Sequence, residues 1–207
     1  MSKALVDGEG MERWLRTDEQ QEVISSLRMV LRSMESASED LDHWKWAVIA
    51  LHNAVQGAMV MSLRAGNDFR VMPEKLAQKC YQAHMDSKPW PKAKMDSFPN
   101  LYKKAQSQET MGFYVHSRQL PSDPDRDRCI AKLLDLRNSF IHFMPQGWSL
   151  EVSGLPEICE TTLEMIHFLC WESGNVFWHG EFDSMVAQEL VSKAKNIAQK
   201  LRAEYVN

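Results

Sequence analysis

Apolar positions recur every three or four residues along most of the chain, and short polar or proline-containing tracts separate the runs. This pattern predicts an all-α protein, a helical bundle with at most a short β excursion. Residues 17–34 carry Val23, Leu27, Val30, Leu31 and Met34 on one side, with Thr17 or Asp18 placed to cap the helix start. Residues 41–64 are apolar on two sides: Trp44, Val48, Leu51, Val55 and Met59 form one stripe, and Trp46, Ile49, Val60 and Met61 add a second. A helix coated in this way is expected at the centre of the fold, packed on by several others. The Ala65-Gly66-Asn67 stretch supplies a glycine stop.

A third helix is predicted over 73–85, with Pro73 in its first turn. The chain then turns irregular through Lys88-Pro89-Trp90-Pro91 and Ser97-Phe98-Pro99 before a shorter helix over 100–108. Residues 121–124 form a turn that launches a strong helix through Cys129, Leu133, Leu136 and Phe140, which Pro145-Gln146-Gly147 ends. Residues 148–152 read as a short strand or extended arm, and 156–172 and 183–203 as helices. No boundary divides the chain, so residues 1–207 are expected to form one domain, with its core between about 41 and 171.

Composition narrows the function classes. An apolar fraction of 44% over 207 residues is ordinary for a globular protein and sufficient for a real core. The net charge of −4 argues against broad electrostatic capture of nucleic acid, which relies on many Lys and Arg contacts to phosphate. Any nucleic-acid role therefore needs a local site or an assembled cleft. Cys80, Cys129, Cys159 and Cys170 contain no C-x-x-C pair, and residues 1–14 are mixed and charged. The expectation is four reduced thiols, no secretory signal and a cytoplasmic location. No apolar run is read as a bilayer span, so no membrane association is expected.

Chemistry concentrates in the helix that ends near His142. On helical spacing, Ile130, Leu134, Arg137 and Ile141 form one row, and Ala131, Asp135, Asn138 and His142 the adjacent one. Arg137 would sit at the edge of the buried stripe, with Asn138 and His142 one turn apart beside it. Two readings follow. Arg137 pairs with a core carboxylate while His142 complements the helix dipole at the last turn, or the row is a functional site. A buried arginine needs one reason or the other, because unpaired buried charge is costly.

The segment Leu136-Arg137-Asn138-Ser139-Phe140-Ile141-His142-Phe143 resembles the signature of HEPN domains: Arg, a polar residue that is often Asn, three residues, then His, late in a long helix. The apolar helix bearing Trp44, Leu51 and Val55 is similar to the earlier core helix of that family. The resemblance covers about residues 41–171 and leaves the first helix and the tail after Gly174 unaccounted for. It implies metal-independent cleavage of RNA, single-stranded or tRNA-like, by a homodimer whose two motifs share a cleft, in a toxin or defence setting. An antitoxin or regulatory protein is an implied partner; no cofactor is implied. The residue types suit this chemistry: His142 would transfer protons, Arg137 would hold the scissile phosphate, and Asn138 would orient one of them or the substrate. With one histidine per motif, a second acid or base would come from the partner subunit. The rival readings are a non-catalytic HEPN-like module that binds RNA, a nucleotide or a partner protein, and a structural helical adaptor.

The remaining candidates are weaker. Lys45, His52 and Gln56 make a polar seam on the central helix, with Asn53 on a neighbouring row. His52, Asn53 and Asp135 are supporting candidates for the cleft, and a satisfied core histidine is the bland alternative. His167 and Cys170 share a face without a second ligand pair, so no metal site is expected. Neither a glycine-rich phosphate loop nor a G-x-S-x-G or H-E-x-x-H motif is present. Trp90, Trp148, Trp171, Trp178, Tyr102 and Tyr114 could stack on bases or serve as core. The 123–128 charge cluster reads as a solvated first turn.

Overall fold

Helix α2 (His43–Leu63) runs through the middle of the protein, and its sequence explains why. Trp44, Val48, Leu51, Val55 and Met59 are all essentially inaccessible to solvent, and the alanines between them let neighbouring helices approach closely. The computed structural model describes residues 13–64, 66–142, 145 and 147–206. Residues 1–12, Ala65, Phe143 and Gln146, which the sequence reading used for the leader, two helix stops and the motif's last position, lie outside the described residues, as do Met144 and Asn207.

The described residues are helical, with no strand among them. α1 (Glu19–Ser36) is capped by Asp18, whose carboxylate accepts the Gln20 and Gln21 backbone N–H groups. It lies along α2 at close range. A Cβ on Gly57 would sit 2.6 Å from Val23 Cγ2, so the glycine is what permits the approach. α3 (Glu74–Met85) contacts the short 3-10 turn at Phe69–Val71 and buries only Cys80. α4 (Phe98–Ala105) and the single turn α5 (Gln108–Met111) rest on α2. α6 (Pro124–Ile141) and α7 (Leu155–His167) pack on α2 and on each other. α7 continues into a wider π turn at Phe168–Glu172. α8 (Glu181–Val206) closes the bundle against α1 and α7, and the Trp44 indole N–H donates to the Tyr205 hydroxyl at 3.0 Å.

Of the strand and the extended arm that 148–152 allowed, the structure shows the arm, since no second strand is available among the described residues to satisfy its backbone. Three sequence expectations change. The 100–108 helix begins at Phe98, since Pro99 suits a first turn, and stops at Ala105 before α5 starts separately. Trp46, assigned to a second buried stripe, is 51% exposed, and Asn53 one side of the same strip also faces solvent. Finally, α2 is long and apolar enough to cross a membrane by length and composition, contrary to the expectation that no run is. Two-thirds of its most apolar window is buried against the other helices, which is how a central core helix behaves.

A buried ion pair secures α4. Lys104 Nζ lies 2.7 Å from Asp96 Oδ2 and donates to the Met72 carbonyl. Burial opposes ionisation of Asp96. Lys104, the Asn100 amide and the Ser97 N–H outweigh it and hold the carboxyl below the usual range. All four cysteines are free and buried, and burial pushes Cys159 and Cys170 up to about 12.

Candidate active site

The motif helix is fixed first at its N-terminal end. Asp123 caps α6 by accepting the Asp125 and Arg126 backbone N–H groups. Asp127 Oδ1 accepts from the Tyr102 hydroxyl at 2.6 Å and from the Gln106 amide at 3.0 Å. Burial and then this bond push the Tyr102 phenol well above its ordinary range. The 123–128 cluster is therefore more than a solvated turn: it ties α6 to α4.

Along α6 the buried face is Cys129, Ile130, Leu133 and Leu136. Arg137 follows as a half-buried residue at the edge of that face, while Asn138 and His142 are exposed. The rows predict this edge position for Arg137, but Ile141, which they place on the buried stripe, is 41% exposed and Leu134 is half-buried. The Arg137 guanidinium donates from Nη1 to Asn138 Oδ1 at 3.0 Å. Its Nε is buried without a hydrogen-bond partner, and no carboxylate pairs with it among the described residues. The core-ion-pair reading of Arg137 thus finds no partner there.

His142 is the C-cap of α6, and its backbone N–H donates to the Asn138 carbonyl at 2.8 Å. Its imidazole makes no hydrogen bond or ion pair among the described residues. The Arg137 and Asn138 side chains are therefore joined directly, whereas His142 meets Asn138 only through the helix backbone.

The supporting candidates divide. His52, on α2, is buried and stacks on Phe98 with ring centroids 4.4 Å apart. Neither of its ring nitrogens makes a hydrogen bond of normal geometry. Burial, then the Arg137 charge, lower its pKa to about 4, and only the neighbouring Asn53 side chain favours the charged form. His52 is thus not a satisfied core histidine; it is a neutral imidazole within electrostatic reach of Arg137. Asn53 is exposed beside it. Asp135 goes elsewhere: it lines a groove between α6 and α7 together with Lys132 and Glu157.

Trp90, Trp148 and Tyr114 are exposed, Trp171 and Trp178 are half-buried and stacked on each other at 5.6 Å, and Tyr102 is core. Among the described residues, no three His, Cys, Asp or Glu side chains gather into a metal-binding group. The residue that sequence reasoning missed is Trp46. The signal was present in Asn53 and Gln56, which interrupt the second stripe of α2 on the same side.

No protein-family model matches the chain, and no curated protein or solved structure matches it either.

Proposed function

We propose that this chain is a metal-independent endoribonuclease of HEPN type that works as a homodimer on single-stranded or tRNA-like RNA, in a toxin or defence setting. One observation carries the reading. Arg137 keeps a positive charge that no described carboxylate neutralises, oriented by Asn138 on the same helix as an exposed histidine. A guanidinium so held is suited to a phosphate, for which it can offer parallel N–H donors.

The chemistry needs no cation. The RNA 2′-oxygen attacks the adjacent phosphorus as a base removes its proton, and the bond to the 5′-oxygen breaks as an acid protonates that leaving group. The products are a 2′,3′-cyclic phosphate and a 5′-hydroxyl. His142 fills one of the two proton-transfer roles and Arg137 stabilises the charge that grows on the phosphorane. The second proton-transfer group comes from the other subunit.

The test is incubation of purified protein with single-stranded RNA in excess chelator. The expected result is cleavage with cyclic-phosphate ends, lost by about a hundred- to ten-thousand-fold in His142→Ala. Activity that vanishes in EDTA and returns with magnesium overturns the mechanism. The net charge of −4 favours a second reading, a non-catalytic module whose Arg137 binds a nucleotide or a partner's carboxylate. Binding without cleavage by the wild-type protein would select it.

A further inference from the structure

The N-terminal end of α2 and the C-terminal end of α6 meet beneath the irregular arm that follows α6, and an open groove of about 480 Å³ lies between them. Two tryptophans flank it. Trp46 from α2 is 51% exposed and Trp148 from the arm is 45% exposed, although both are large enough to contribute strongly to a core. Phe140 supports Trp148 from α6 at a centroid distance of 5.2 Å. The Lys45 ammonium stands 5.0 Å from the centre of the Trp46 ring. Asp42 also lines the groove. It occupies the N-cap position of α2, yet its carboxylate makes no capping bond and remains available as an acceptor.

We propose that this groove is a nucleobase subsite, in which an unpaired base of the RNA stacks between Trp46 and Trp148 while Arg137 engages a neighbouring phosphate. The inference rests on the endoribonuclease reading and extends it to how the strand is held. Three features favour a base over other flat or apolar guests. The two flanking indoles are large exposed aromatic surfaces, and base–aromatic stacking tolerates any base because each has a π face. Lys45 and Asp42 add one donor and one acceptor near the rings, matching the mixed polar edge of a base. Phe140, which supports Trp148, lies one helical turn beyond Arg137 on the same face of α6, so a base held at the groove and a phosphate held at Arg137 would belong to neighbouring positions of one strand. A proline-rich peptide would use the indoles but leave Arg137 without an anion.

The experiment uses the full chain and a fluorescently labelled, single-stranded 2′-O-methyl oligoribonucleotide. That probe carries no free 2′-hydroxyl and cannot be cut, so binding is read separately from catalysis. Trp46→Ala and Trp148→Ala should each weaken binding by about 5- to 150-fold, and Trp46→Phe should restore much of it. A strand of the same length made abasic should bind wild type as weakly as the intact strand binds the alanine variants. Equal binding of intact and abasic strands, alanine variants that bind like wild type, or a wild-type protein that binds no strand overturns the proposal. Preferential capture of a proline-rich peptide at the groove does so too. Tryptophan-dependent binding of the probe together with uncut natural RNA supports the groove and removes the nuclease reading. Cleavage that is indifferent to both tryptophans removes the groove alone.

Discussion

The buried imidazole of His52 lies within electrostatic reach of the Arg137 guanidinium, and no carboxylate pairs with either among the described residues. Two cation-forming side chains thus share one low-dielectric region between α2 and α6. A guanidinium is a permanent cation in proteins, so the arrangement is tolerable only with His52 neutral. Burial and the arginine's charge enforce this together.

That pairing dictates a pH dependence. The native His52 titrates at about 4, against 6.5 for the free side chain. Between those values the unfolded chain binds more protons than the folded one, so stability rises with pH there. The contribution is complete above about 6.5 and is lost toward pH 4, by roughly 3 kcal/mol in all. Urea denaturation of wild type and His52→Leu across this range should show the flatter slope in the variant. Parallel slopes would mean that His52 is already charged in the native state.

Removing the arginine should cost little fold stability. Stranding the other half of a buried ion pair costs about 3–5 kcal/mol, but Arg137 has no such partner among the described residues. Arg137→Met should change stability by no more than about 1 kcal/mol and should raise the His52 titration midpoint followed by NMR. A loss of ion-pair size, with that midpoint unmoved, would restore the structural reading of the arginine.

The behaviour of Asp96 and Lys104 should be the reverse. Both are largely buried and bonded at 2.7 Å, so Lys104→Met leaves an uncompensated carboxylate and should cost about 3–5 kcal/mol by chemical denaturation. Because the Asp96 pKa is depressed in the fold, its contribution is present above the unfolded value and falls away as acid protonates it. A loss below about 1 kcal/mol would class the pair with surface ion pairs.

At the α1–α2 crossing, propensity and packing oppose each other. Gly57→Ala would gain about 1 kcal/mol of helix propensity, but its Cβ meets the stiff, fully buried Val23 side chain. Overpacking of this kind costs about 1–3 kcal/mol, so a net destabilisation is expected. Combining it with Val23→Ala should give less than the sum of the two losses, and strict additivity would show that the helices simply part.

Much of the helical frame was legible because burial leaves a period in the sequence. Asp18 and the α2 stripe were read within a residue or two, and the rows on α6 placed Arg137 at a buried edge with Asn138 and His142 beside it, although they also buried Ile141, which is exposed. What escaped depends on neighbours far away in the chain. Nothing local to His52 announces that Arg137, 85 positions later, lies opposite it. Trp46 differs, because Asn53 and Gln56 on its side of α2 already marked that strip as polar. The π turn at Phe168–Glu172 was also invisible, since its composition suits an ordinary helix. It is held by Arg118, which donates to the Glu172 carbonyl, and by Gly174, whose φ of +76° lets the chain leave beside His116.

The ties on α6 are unequally distributed. Its root is bolted down by the Asp123 cap and by Tyr102 and Gln106. At its tip, the hydrogen bonds of Arg137, Ser139 and His142 stay within the helix, and the Phe140–Trp148 ring contact reaches outward. The motif thus occupies the end of α6 whose hydrogen bonds run back into the helix itself, so a change at Asn138 or His142 removes no hydrogen bond that ties α6 to a neighbouring element among the described residues.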